Sequence, residues 1–251
     1  MIGKILQFLK YNRIRIIQIF IALIVVLFAF LVIWLSTPYK ATEDAIKLLS
    51  STQTYSYSDT GNLEFIPNQP KEAGVIFYPG GRVEAKAYSY ICAGIAQQGY
   101  PCIIAVMPFN LAVFKLDAAK QIIEKYPQVE SWSIGGHSLG GSMAARYIKD
   151  NSTKIDSIFF MGSYTDVDLS KTTLKALILI GTEDAILNSQ SYKDNYKNMP
   201  DARSINVIQG GNHSQFGDYG LQDGDLEAKI SKQDQHQIIV DEILKLITAK
   251  L

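Results

Sequence analysis

Two cysteines in 251 residues are too few to build a disulfide scaffold. Cys92 falls within a helical stretch and Cys102 at the start of a strand, so their separation cannot be read from the sequence. Both are read as buried packing residues, although an oxidising compartment would permit their oxidation. Histidine is equally sparse: His137, His213 and His236 are the only three. With no clustered His/Cys spacing and no nucleotide-binding glycine fingerprint, no metal and no organic cofactor is expected. Formal charge balances to zero, with no basic face of the kind a nucleic-acid partner needs. Internal repeats and low-complexity tracts are missing too. At 47% hydrophobic and 19% charged, the chain has the make-up of a globular protein, and its length suits one domain plus an anchor.

No acid occurs before Glu43, whereas Lys4, Lys10, Arg13 and Arg15 all precede an apolar run, leaving the remainder net acidic. That run, residues 16–35 (IIQIFIALIVVLFAFLVIWL), is apolar except for Gln18. As a helix its 20 residues rise about 30 Å, the thickness of a bilayer's hydrocarbon core. A core helix of a soluble protein would show a polar face somewhere in five turns. A cleaved signal peptide would have a shorter apolar region, about 7–15 residues, and a small-x-small site, which Trp34-Leu35-Ser36-Thr37-Pro38 does not provide. The pattern therefore predicts an uncleaved, single-pass signal anchor. Its basic N-terminus (residues 1–15) would be cytoplasmic, and everything after Leu35 extracytoplasmic.

Residues 36–71 read as a connector with a short helix over 41–49. A hairpin follows, with strands at 54–58 and 62–66 around the Asp59-Thr60-Gly61 turn. From 72 to 251 apolar strands alternate with helical stretches. Strands are expected at 74–78, 102–107, 129–134, 155–161, 176–180 and 205–208, and helices at 85–97, 112–126, 139–149 and 233–249. The strands are continuous apolar runs rather than alternations, as when helices cover both faces of a sheet. The expected fold class is α/β, a mostly parallel central sheet with right-handed helical crossovers.

Gly136-His137-Ser138-Leu139-Gly140 is a Gly-x-Ser-x-Gly pattern placed between a strand and a helix. A turn that tight strains the serine backbone, and the flanking glycines let strand and helix approach. It also sets Ser138 at a helix N-terminus, where free N–H groups favour developing negative charge. A helix-capping serine in a glycine-rich turn is the structural alternative. A serine nucleophile needs a base. His137 adjoins Ser138 and is expected to pack or hydrogen-bond beneath the turn, and His236 in the last helix to be solvated. His213, in the loop after the strand at 205–208, is the candidate base. Asp184, in the loop after the strand at 176–180, is the candidate acid that orients it, with Glu183 as runner-up. The order Ser, Asp, His differs from the trypsin-like and subtilisin-like orders. The oxyanion donors are expected to be the Leu139 amide and that of Gly81, or alternatively Arg82, at the end of the first core strand.

At Tyr78-Pro79-Gly80-Gly81-Arg82-Val83-Glu84, Met107-Pro108-Phe109-Asn110-Leu111-Ala112, Gly136-His137-Ser138-Leu139-Gly140-Gly141, Gly181-Thr182-Glu183-Asp184 and the run 211–220 (GNHSQFGDYG), the chain resembles the α/β-hydrolase superfamily. Within it the resemblance is to the dienelactone-hydrolase-like branch, over residues 74–251. It implies the α/β-hydrolase fold, with Ser138, Asp184 and His213 as the triad. Two departures matter. Dienelactone hydrolases proper use a cysteine nucleophile, so their substrate does not transfer, and the short segment between Met161 and Leu174 leaves no room for a lid. The loop from His213 to Ser231 is long instead, and Tyr219, Gln222 and Asp225 either shape a pocket or brace that loop.

The expected activity is hydrolysis of a small-molecule acyl ester through an acyl-enzyme. Two alternatives remain at this stage. One is an acyltransferase using the same residues. The other is a non-catalytic, membrane-tethered binding protein, which would have no reason to keep all three groups.

Overall fold

The apolar run near the N-terminus and the alternating segments that follow fall into separate units, divided after Pro38, in a computed structural model that describes residues 11–249. Lys4 and Lys10, part of the expected basic flank, lie outside the described residues. The first unit is helix α1, Arg13–Ser36, whose 24 residues have none buried and a mean hydropathy of 3.3 over the most apolar stretch. It rises about 36 Å. It is long and apolar enough to cross a membrane, and an N-terminal signal sequence would meet the same criteria.

In the second unit, eight strands form one sheet in the order β1-β2-β4-β3-β5-β6-β7-β8. They are β1 Tyr55–Asp59, β2 Asn62–Pro67, β3 Ala73–Tyr78, β4 Cys102–Ala105, β5 Ser131–His137, β6 Ile155–Met161, β7 Lys175–Gly181 and β8 Arg203–Ile208. Among β3 to β8 the strands pair with one another in parallel throughout. The hairpin expected within the connector is part of this sheet, because β2 pairs antiparallel with β4 in the register Leu63↔Ile104. Leu63 and Phe65 of β2 are buried, and that burial draws the hairpin onto the sheet edge.

Helices cover both faces. On one side Val75 and Phe77 pack under α3 (Ser89–Gln97) and α7 (Lys232–Thr248), against Ile91, Ile95, Ile239 and Ile243. On the other, Ile76 and Ile134 pack under α4 (Ala118–Lys125) and α5 (Leu139–Asp150), against Ile122, Met143 and Ile148. Successive strand residues alternate between two buried faces, hence the continuous apolar runs.

Several expectations need correcting. The helix expected at 85–97 begins as a 3-10 turn, Ala85–Tyr88, before α3. The one expected at 112–126 starts as a 3-10 turn and becomes α-helical only from Ala118, as α4. Phe109 and Asn110 take left-handed backbone (φ 53° and 54°), and only short turns at Pro108–Asn110 and Ala112–Phe114 form. The expected helix at 41–49 is α2, Glu43–Lys47, capped by the Thr42 hydroxyl. Helix α6, Ser189–Asn195, was not expected. It has no apolar face, and starts where the Asn188 side chain accepts from the Ser191 amide at 2.8 Å.

Cys92 on α3 and Cys102 on β4 are not merely packing residues. They form a disulfide, with Cα atoms 5.0 Å apart, because α3 lies directly over the strand that follows it. Closing so short a loop constrains the unfolded chain by about 3 kcal/mol on a chain-entropy basis. His236 is not a solvated surface residue either. It lies on the buried stripe of α7 with Ile239, Val240 and Ile243, and stacks on Tyr90 with ring centroids 3.5 Å apart. Burial pulls its pKa down to about 4, keeping it neutral.

Candidate active site

β5 runs to His137, three residues past its expected end, and delivers Ser138 in a backbone conformation (φ 50°, ψ −123°) that a non-glycine residue rarely takes. The flanking glycines permit this turn. A Cβ on Gly136 or on Gly140 would stand 2.1 Å from the Tyr78 carbonyl oxygen, so neither position has room for a side chain. The turn is held from below. The Ser138 amide donates to the Met161 carbonyl at 2.9 Å, and the Ser163 hydroxyl to the Ser138 carbonyl at 2.6 Å. The Ser138 side chain makes no hydrogen bond among the described residues.

The loops after β7 and β8 meet at the same sheet edge. Asp184 Oδ2 is 2.8 Å from His213 Nδ1, and both side chains are buried. Asp184 Oδ1 accepts the amides of Ile186 and Leu187 at 3.0 and 2.8 Å, which locks its rotamer. Since a carboxylate only accepts, Nδ1 carries the imidazole proton and Nε2 presents a lone pair. That Nε2 is buried without a hydrogen-bond partner. Buried Gln235 braces the backbone next to it, accepting from the Asn212 amide and donating to the Asn212 carbonyl. Glu183 points elsewhere and pairs with Lys229 at 2.8 Å.

Ser138 and His213 share a cavity of about 290 Å³, walled by Leu139, Ser142, Tyr164, Ile186 and Leu187 among others. Two larger hollows lie elsewhere, one between α3 and α7 and one beside α4, and contain none of these groups. The amides of Gly81 and Leu139 are unpaired among the described residues. A Cβ on Gly81 would sit 3.2 Å from Leu139 Cδ2, so Gly81 faces Leu139. The Arg82 amide, the alternative donor, is already committed to the Asn110 carbonyl at 2.8 Å.

His137 lies beneath the turn, 1% exposed, with its ring centroid 4.3 Å from that of His213. Burial first, and the neighbouring His213 second, hold its pKa well below the usual histidine value. The Tyr88 hydroxyl accepts the Gly80 amide at 3.0 Å and is hydrogen-bonded to His137 Nδ1 at 2.9 Å, tying the Gly80-Gly81 loop to the serine turn. Tyr219, Gln222 and Asp225 do not line the cavity. Asp225 accepts from the Ser214 amide and hydroxyl, and Tyr219 donates to Gln222, so all three brace the long loop. Among the described residues no group of three His, Cys, Asp or Glu could hold a metal ion.

Sequence reasoning missed Tyr88, Ser163, Gln235 and Gly162. Gly162 has φ +50°, and a Cβ there would lie 2.8 Å from His213 Nδ1 and 2.9 Å from Asp184 Oδ2. Gly162→Ala is therefore expected to part that pair. Turnover should fall by about a hundredfold if a displacement near 1 Å results. Steady-state kinetics beside a thermal melt would separate this from unfolding, and an unchanged kcat would show that the pair tolerates the methyl group.

The model of an alpha/beta hydrolase family matches residues 74–237. Similar solved structures include a carboxylesterase from Bacillus subtilis (TM-score 0.59, 9% identity, covering 87% of this chain and 99% of that one). A hormone-sensitive lipase from a metagenome library superposes with TM-score 0.57 and 13% identity, over 83% of this chain and 92% of the other. Dienelactone hydrolase from Anabaena variabilis gives TM-score 0.55 and 12% identity, over 79% and 99%. At these identities the likeness is one of fold. No curated protein matches the chain.

Proposed function

Since the chain belongs to the alpha/beta hydrolase family, we propose that it is a membrane-anchored serine esterase with Ser138 as nucleophile, His213 as general base and Asp184 as its orienting acid. The observation that carries this reading is the buried His213–Asp184 pair, with His213 Nε2 left without a hydrogen-bond partner and His213 lining the same cavity as Ser138. Ser138 Oγ attacks the ester carbonyl carbon while Nε2 takes its proton. Asp184 stabilises the imidazolium, and the Gly81 and Leu139 amides receive the oxyanion. The protonated His213 then hands its proton to the leaving alcohol. Water, deprotonated by the same nitrogen, then attacks the acyl carbon, and His213 returns that proton to Ser138 Oγ as the acid leaves. No step calls for a metal or an organic cofactor.

A panel of nitrophenyl ester, thioester and amide substrates on the full chain in detergent tests this. Ester turnover with a burst of alcohol release is expected, and no turnover of any ester would overturn the reading. Adding a competing alcohol to the same assay distinguishes transfer from hydrolysis: a new ester as the main product would make the protein an acyltransferase.

The same proposal places α1 across a membrane with the hydrolase unit on the extracytoplasmic side. The disulfide suits that oxidising side. On cells stripped of their outer layers, added protease should digest the hydrolase unit and spare the anchor. Full protection would reverse the orientation, and a soluble chain beginning near Thr37 would indicate cleavage.

A further inference from the structure

The loop between β4 and α4 exposes an apolar cluster that the fold does nothing to hide. Phe109 and Phe114 are 58% and 57% exposed, the highest among the large apolar side chains described in the second unit, and Val113 and Leu116 are exposed beside them. The two phenylalanine rings meet edge to face at 5.8 Å. This is not slack chain. Phe109 and Asn110 are held in the left-handed region, which disfavours an aromatic L-residue. The loop closes on itself through Asn110 N–H to Met107 O and Phe114 N–H to Leu111 O, and its far end is fastened where the Tyr78 hydroxyl donates to Leu116 O at 2.7 Å. Strain kept in order to hold an aromatic residue in water points to a use for the exposed ring.

Covalent connection indicates what covers it. Arg82 donates its amide to Asn110 O at 2.8 Å and accepts the Tyr39 amide at 2.7 Å, so Tyr39, Arg82 and Asn110 are joined rung by rung. Tyr39 follows the last residue of α1, Ser36, by three peptide steps, which reach at most about 11 Å. The loop that presents Phe109 is thus linked through two backbone hydrogen bonds to Tyr39, the first residue after the unit that holds the bilayer-length helix. Leu111 of the same loop faces Gly81, where a Cβ would lie 3.6 Å from Leu111 Cδ2.

We propose that the Phe109–Phe114 loop is a membrane-resting surface, whose aromatic pair enters the lipid headgroup layer and presents the Ser138 cavity to esters carried by the bilayer. The surface rests on the reading of α1 as a membrane span, and the ester supply on the hydrolase reading above. Aromatic rings suit that interfacial layer, and Lys115 between Phe114 and Leu116 can keep its ammonium among the headgroups.

The test uses the full chain reconstituted in vesicles of phosphatidylcholine and phosphatidylglycerol. Cys92 and Cys102 are paired, so Phe109→Cys introduces the one free thiol for an environment-sensitive fluorophore. Its emission should shift to the blue and be quenched by spin-labelled lipid. The same label at exposed Asp201, next to the N-terminal end of β8 and so at the sheet edge opposite the cavity, should report water. Equal, water-like emission at both positions would overturn the surface. So would shielding at 109 without lipid quenching in a chain that sediments as a dimer, since a second copy would then be the cover. The double variant Phe109→Ser/Phe114→Ser should hydrolyse a long-chain nitrophenyl ester dissolved in the vesicles at least tenfold more slowly, with nitrophenyl acetate in water unaffected. Parallel loss on both substrates would overturn the supply route. Wild-type protein that cleaves neither ester would refute the hydrolase reading instead, while the fluorescence still decides the surface.

Discussion

Ser138→Ala is expected to abolish ester turnover, by about a million-fold if the nucleophile counts here as it does in another serine hydrolase. It should also abolish covalent labelling by a fluorophosphonate. The structure makes this a clean experiment. The Ser138 side chain makes no hydrogen bond among the described residues, and the bond that Ser163 donates to this position goes to the main-chain oxygen, which alanine keeps. Alanine accepts the same positive φ no worse than serine, so the melting temperature should stay close to wild type. Loss of activity with an unchanged melt then reports chemistry and not folding. A variant that still takes up the probe would move the nucleophile to another residue.

The serine turn was legible because it is local. Gly136 and Gly140 exist to let β5, α5 and the end of β3 crowd together, and that requirement is written within five residues. Strand–helix alternation was legible for a similar reason, since a strand covered on both faces has no polar alternation to disguise it. What escaped depends on elements distant in sequence. The Cys92–Cys102 bond follows from where α3 settles over β4. Gly162 must be glycine because His213 and Asp184, arriving on two later loops, meet over its Cα. The Gly80–Tyr88–His137 relay links three segments through one hydroxyl. His236 is a different case. Its spacing to Ile239, Val240 and Ile243 already marks the buried stripe of an amphipathic helix, although histidine as a residue type is only intermediate in burial.

Asp184→Asn should lower turnover by about ten-thousand-fold, the effect of the same change in another triad enzyme. The local geometry shows how. Asp184 Oδ1 is engaged by the Ile186 and Leu187 amides, so the asparagine oxygen is drawn to that side and its NH₂ group is turned toward His213 Nδ1. Nδ1 must then accept, the imidazole proton moves to Nε2, and Nε2 can no longer take a proton. Glu183→Gln should cost little, because that carboxylate is spent on Lys229 at the surface. Combining Asp184→Asn with His213→Ala should be scarcely worse than His213→Ala alone, because in the proposed triad the acid acts only through the base. The measurement is kcat/KM on one activated ester for the four variants and wild type. Near-wild-type turnover in Asp184→Asn with collapse in Glu183→Gln would reassign the acid to Glu183, and additive losses in the double variant would show that Asp184 acts on the ester by a route that bypasses His213.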